Sequence, residues 1–143
     1  MAASDERAQA LAANEAFYRA FAARDLTAMG RIWAQEADSI CVHPGWTPLF
    51  GRDAVMESWA GILSNPAAPR IRCIRARATV EGTVARVVCY EVIERSILVA
   101  TNLFARERGE WRLFHHQAGP AGDDASVLGS AESEAGPGSK RLH

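Results

Sequence analysis

Lysine is almost missing from this 143-residue chain: Lys140 is the only one, so nearly all of the 16 basic residues are arginines. Against 17 acidic residues the net charge is only -1. That balance gives no electrostatic ground for nucleic acid or an anionic membrane as partner. With alanine abundant as well, the arginine preference reads as compositional bias rather than a phosphate-binding device. Cysteine is scarce. Cys41, Cys73 and Cys89 are odd in number, widely spaced and set in apolar strand patterns, so reduced core thiols are expected and a disulfide framework is not. No apolar run nears the roughly 18 residues of a membrane span, and Met1 to Glu6 lacks a basic segment followed by an apolar one. The expected location is therefore cytoplasmic. The four histidines show no HxH or HExxH spacing and no cysteine pair has ligand spacing, so no metal site is expected. A glycine-rich phosphate loop, a nucleophile elbow and an internal repeat are also missing.

What the chain does carry is strand-type alternation from Arg70 to Ala118, broken only by short turns. In its first segment Ile74, Ala76, Ala78 and Val80 share one face, and Arg75, Arg77 and Thr79 the other. Glu81-Gly82 supplies a residue able to take positive φ, so the chain can reverse into Thr83 to Arg95. There Val84, Val88, Tyr90 and Val92 alternate with Ala85, Val87, Cys89 and Ile93, leaving both faces largely apolar. A single antiparallel sheet covered by helices on one side should keep one wet face. The pattern therefore predicts a second layer over the outer face, supplied by the partner of a homodimer, unless β-branched residues are there only as good strand formers. A third strand, Leu98 to Ala105, opens at Ser96-Ile97 and ends in the charged turn Arg106 to Glu110. Trp111 to Gln117 is the fourth, and the four make a meander.

Before the sheet the period changes. Ser4 can cap a helix whose Leu11, Phe17, Tyr18 and Phe21 form an apolar stripe ending near Arg24. Asp25 can cap a second, with Leu26, Met29, Ile32 and Trp33. Asp38 to Val42 reads as a short strand stopped by His43-Pro44-Gly45, and Trp46 to Phe50 as a loop. Gly51-Arg52-Asp53 opens a third helix with Ala54, Val55, Trp59, Ile62 and Leu63 inward, closed by Asn65 to Pro69. Helices on one face of a mainly antiparallel sheet make an α+β domain over residues 1–118. Residues 119–143 are rich in glycine, serine and proline and read as a flexible tail, unless Val127 and Leu128 anchor it to a neighbouring surface.

The element order, the strand ending Val42-His43-Pro44, the phrase Gly51-Arg52-Asp53-Ala54-Val55 and the closing Trp111-Arg112-Leu113-Phe114-His115-His116 resemble the SnoaL-like superfamily. This is the fold of ketosteroid isomerases, polyketide cyclases and nuclear transport factor two, and the likeness covers residues 5 to 118. It implies a cystatin-like cone: three N-terminal helices on a strongly curved sheet, with subunits paired through their sheets. It also implies a pocket walled by Phe17, Trp46 and Trp59; Arg52, at its mouth, and Asp38 are read as further lining residues. Counted by position, the steroid isomerases' aspartate base falls on His43, their tyrosine on Phe17 and their protonated acid on Asn102.

The chemistry so implied needs no cofactor. His43 would take a proton next to a carbonyl and Asn102 would donate to the developing oxyanion, on a small apolar or carbonyl-containing molecule. Each residue also has a plainer reading. His43 beside Pro-Gly can be a turn-stabilising donor, Asn102 can satisfy a buried backbone group, and His115 and His116 face opposite sides, so at most one enters the cone. Arg52 could bind a carboxylate or be solvated at a helix start. Asp38 could act as a second acid–base group, or else orient an arginine or cap a turn. Trp33, Trp59 and Trp111 fit a core, whereas Trp46, in a loop, fits a ligand cap. An isomerase, cyclase or dehydratase is the enzymatic expectation. A non-catalytic homodimeric binding or assembly module is the alternative.

Overall fold

The computed structural model describes residues 3–122, so the anchor at Val127 and Leu128 lies outside the described residues. Helix α1 (Ala3–Ala23) begins one residue before the expected cap. Helix α2 (Leu26–Ile32) follows almost directly, with the Asp25 carboxylate accepting from the Ala28 N–H at 3.0 Å as its N-cap. Strand β1 (Ile40–Val42) then leads into His43-Pro44-Gly45. The expected loop after it contains a two-residue strand, β2 (Leu49–Phe50), which folds back antiparallel on β1. Gly51, at φ 91, makes the turn into α3 (Arg52–Ser64), a backbone angle that a side chain would strain.

The meander follows as β3 (Arg72–Glu81), β4 (Val84–Ile93), β5 (Ser96–Glu107) and β6 (Glu110–Pro120). Strand β6 thus runs two residues past the expected domain end at 118. The six strands form one sheet in the order β2-β1-β6-β5-β4-β3, with only the β1–β6 pair parallel. Three helices on this mixed sheet make the α+β cone that the sequence implied.

Two bulges decide which side chains point inward. On β3 the pairing passes from Ile74↔Tyr90 to Arg77↔Val88, so Arg75 and Ala76 together face Cys89, and Arg75 sits at φ 55. An extra residue reverses the alternation. Ile74 consequently joins Val92 and Ile97 in a small cluster separate from the main core, while Cys73, Ala76, Ala78 and Val80 pack against that core. This corrects the simple face assignment, which put Ile74 with Ala76. The second bulge, at Phe114 on β6, lies between the pairs Leu103↔His115 and Phe104↔Leu113. Before it Trp111 and Leu113 are buried, and after it His116 and Ala118 are.

The space between helices and sheet is occupied. Phe17, Met29, Trp33, Trp59, Phe104 and Leu113 are fully buried in one cluster. Each aromatic ring so placed removes on the order of 200 Å² from water, about 5 kcal/mol before its ordering cost. Phe17 and Trp59 therefore fill the cone where an open pocket wall was expected.

Candidate functional site

A connected row of buried polar side chains crosses this apolar interior. Asn14 and Tyr18 lie one turn apart on α1, Glu91 is on β4, Asn102 on β5 and His116 on β6; all five are buried. Asn102 and His116 are cross-strand partners. The Asn102 amide nitrogen donates to Asn14 Oδ1 at 2.8 Å and to the Tyr18 hydroxyl oxygen at 3.2 Å. Its carbonyl oxygen must then accept from His116 Nδ1–H, at 2.5 Å. That fixes the tautomer and leaves the Nε2 lone pair free, 3.9 Å from Glu91 Oε2. The Tyr18 hydroxyl donates to the same Glu91 oxygen at 2.6 Å.

The charge state follows from burial. Glu91 is only 2% exposed, and removal from water raises its carboxyl above the ordinary value, with the Tyr18 hydrogen bond pulling weakly the other way. Burial lowers His116 to about 3, with the positive fields of His43 and His115 adding to the effect. Tyr18 is pushed up by burial and by the neighbouring carboxyl, so its hydroxyl stays protonated. Burial thus favours the protonated form of Glu91 and the neutral form of the His116 imidazole beside it.

His43 sits at the edge of this row. Its Nε2 is 2.9 Å from Ser58 Oγ, whose own hydroxyl lies 2.6 Å from the Val55 carbonyl. Its ring is packed edge-on against Trp46 and Trp59 at centroid distances of 4.7 and 4.8 Å. Burial lowers its pKa to about 4. His43 and Asn102 do not meet at one point: His116 stands between them, bonded to Asn102, with its ring 6.4 Å from that of His43.

The other expected site residues divide. Phe17 is interior and packs at 5.0 Å on the His116 ring, but it is wall material inside a filled core. Trp46, 48% exposed, lines an outer groove with Ser58, Leu49 and Ile62. Arg52 leaves the site altogether. Its guanidinium donates to the carbonyls of Gly30, Trp33 and Ala34, capping the C-terminal end of α2. Those bonds turn the guanidinium toward the end of α2 and take three of its five N–H donors. Asp38 is exposed ahead of β1 and away from the buried row.

On one side the row is bordered, at Asn14 and Tyr18, by an outer groove. This groove, of about 540 Å³, runs between α1 and β3, lined among others by Leu11, Asn14, Tyr18, Cys73 and Ala76. Cys73 is directly opposite Glu91 across the β3–β4 ladder; Tyr18 and Cys73 line the groove, and Glu91 lies buried behind them, bonded to the Tyr18 hydroxyl. A volume in this range suits a small organic molecule. Among the described residues no group of three His, Cys, Asp or Glu side chains is placed to hold a metal ion. No helix among them is long and apolar enough to cross a membrane.

Residues 10–121 match the SnoaL-like domain family. The chain belongs to that family. A SnoaL-like domain is a small-molecule-binding fold, and solved relatives agree with the architecture. A protein from Streptomyces avermitilis, provisionally named a dehydratase of the NTF2-like family, is 30% identical over 82% of this chain and 97% of its own, with a TM-score of 0.76. A Thiobacillus denitrificans protein, provisionally named a calcium/calmodulin-dependent protein kinase type II association domain, is 31% identical. It covers 78% of this chain and 94% of its own, with a TM-score of 0.69. An uncharacterised Caulobacter vibrioides protein with a cystatin-like fold shares 16% identity and a TM-score of 0.73, covering 90% of this chain and 96% of its own. No curated protein matches the chain.

Against the family pattern, sequence reading missed Tyr18, Glu91 and His116. The tyrosine position was counted onto Phe17, one residue short of the hydroxyl that reaches Glu91. Glu91 was legible as the one acidic residue in the inward set Ala85, Val87, Cys89 of β4, but attention to the apolar members hid it.

Proposed function

We propose that this SnoaL-like protein is an acid–base catalyst of the isomerase or dehydratase type, needing no cofactor, and acting on a small carbonyl-containing molecule that enters by the α1–β3 groove. What carries the reading is the placement of Glu91, buried with no Lys or Arg partner among the described residues, its carboxyl accepting from the Tyr18 hydroxyl at 2.6 Å and lying 3.9 Å from His116 Nε2. Burying a carboxyl costs free energy even when it is neutral and hydrogen-bonded, and an apolar side chain would pack at this place without that cost. A protonated carboxyl and a tyrosine hydroxyl side by side form a donor pair for a developing oxyanion.

In this mechanism the substrate's carbonyl oxygen takes hydrogen bonds from Tyr18 and from the protonated form of Glu91, the form that burial favours. His116 Nε2 removes a proton from the adjacent carbon; the C–H electron pair becomes the C=C bond of the enol, and the oxygen accepts the Glu91 proton. His116 then returns its proton to Glu91 across the short gap between them. Asn102 is the positioning residue, since its carbonyl oxygen holds the imidazole with Nε2 forward. His43, the base expected by position, keeps a subsidiary place as a neutral neighbour of His116.

Exchange of carbon-bound protons adjacent to carbonyls, followed by NMR in heavy water over a panel of small ketones and β-hydroxy ketones, tests this. Wild-type protein should accelerate exchange for some members, and Glu91→Ala should abolish it with folding intact. No difference between wild type and Glu91→Ala across the panel would refute the reading.

The second reading is a non-catalytic homodimeric assembly module. The exposure of Val84, Val88 and Val99, at 39%, 38% and 37%, on the sheet face away from the helices favours pairing there. Pairing and catalysis are compatible.

A further inference from the structure

The α1–β3 groove has a charged rim that the acid–base chemistry does not use. Arg19 on α1 and Arg75 on β3 both line it, together with Glu15. Both arginines are exposed, and neither makes a hydrogen bond or ion pair among the described residues. Two cations against one anion leave the rim net positive.

Arg75 is there because of the β3 bulge. In an unbroken strand it would share the outer face with Arg77. The extra residue and the φ of 55 turn it toward the groove alongside Ala76. Left-handed backbone at a long, branched-head residue is uncommon and costs free energy, and such strain concentrates at binding sites. The groove therefore has three zones: a polar inner end at Asn14, Tyr18 and Cys73, an apolar middle at Leu11, Ala22 and Ala76, and a cationic rim.

We infer that the ligand of this groove is an amphipathic carboxylate, with its anionic group on Arg19 and Arg75, its apolar body along α1 and its carbonyl at Tyr18. The inference rests on the groove being the substrate's way in. A planar guanidinium suits a carboxylate better than an ammonium would, because two parallel N–H donors match its two oxygens.

The test uses matched pairs of acid and primary amide: hexanoate, octanoate, benzoate and 2-naphthoate with their amides, titrated calorimetrically into wild type, Arg75→Gln, Arg19→Gln and Arg75→Lys. At least one acid should bind saturably and tighter than its amide. Arg75→Gln and Arg19→Gln should each weaken the acid by about tenfold, the loss of one charge-assisted contact, leaving the amide unchanged. Arg75→Lys should restore only part of that loss. Acid and amide binding alike, no saturable acid in the series, or full acid affinity in both glutamine variants would overturn the inference. The heavy-water exchange measurement reads the acid–base proposal separately. Discrimination of acid from amide with no exchange sinks the reaction and keeps the ligand class; exchange without discrimination does the reverse.

Discussion

Glu91 and the two buried histidines pull stability in opposite directions with pH. Glu91 has a folded pKa above its unfolded value, so the native state keeps a proton that the unfolded chain releases. Its stabilising share is complete in acid and is lost as pH rises from the unfolded carboxylate value through the raised one, by up to about 1.4 kcal/mol per pH unit. Glu91→Gln, which cannot ionise, should therefore be more stable than wild type at pH 8, with the gap closing toward pH 4. Urea unfolding at the two pH values measures this, and a variant less stable at both would show a carboxylate with a partner. His43 and His116 have folded values near 4 and 3, below the ordinary 6.5. Their unfolded forms take protons that the native state refuses, so stability falls as pH drops from about 6.5 through those values. His43→Gln, which keeps a bonding group for Ser58, should flatten that acid slope between pH 6.5 and 4. An unaltered slope would mean that His43 titrates normally. At this scale the sequence was least legible. Phe17 and Tyr18 differ by one residue, and one residue turns a helix by 100°, so Phe17 meets Trp59 while Tyr18 reaches Glu91. Counting along a motif cannot resolve that step.

Elements were read more securely, because burial patterns average over many side chains. The helices, the β1 stop at His43-Pro44 and the four-strand meander all follow from period and turn chemistry. The bulges did not. Simple alternation would carry the inward set Trp111, Leu113 on to His115, and only the extra residue at Phe114 delivers His116 to Asn102. Nor was the Glu107 clamp visible. This carboxylate, at the end of β5, accepts the backbone N–H groups of Gln35, Glu36 and Ala37 at 2.9, 3.0 and 2.8 Å. Burial raises its pKa, but those three donors outweigh burial and hold it below the usual range, assisted by Arg112. The clamp fixes the link from α2 to β1, and so the direction in which His43 leaves the sheet. Glu107→Ala leaves three donors without their acceptor and should cost about 2 kcal/mol. Because its folded value is depressed, its contribution is present above the ordinary carboxylate pKa and is lost as pH falls through the lowered one. The wild-type advantage over the alanine variant, read from chemical unfolding, should shrink accordingly in acid. A constant advantage from pH 7 to 3 would mean that packing rather than charge holds the link.

For the whole molecule the open matter is what covers the sheet's outer face. Tyr90 and Val99 pair across β4 and β5, as do Val88 and Thr101, with Gln117 beside Thr101 on β6. Part of the apolar excess is covered from within, where Ile74, Val92 and Ile97 cluster with Tyr90. The valines at the middle of β4 and β5 are not. Strands about 34 Å long and four abreast at about 4.8 Å spacing present on the order of 650 Å² of flat surface. Accessible area exceeds flat area, so this approaches the roughly 800 Å² per partner of a stable interface. A second copy is the natural complement, since an isologous contact places each sheet's valine row against its twin. Light scattering at micromolar concentration should give a dimer. Val88→Glu sets two like charges near the twofold axis without touching the helix-facing core, and should yield a folded monomer with an unchanged circular dichroism spectrum. If wild type is monomeric at every concentration, the exposed valines are only good strand formers, and the face is an ordinary wet side of the sheet.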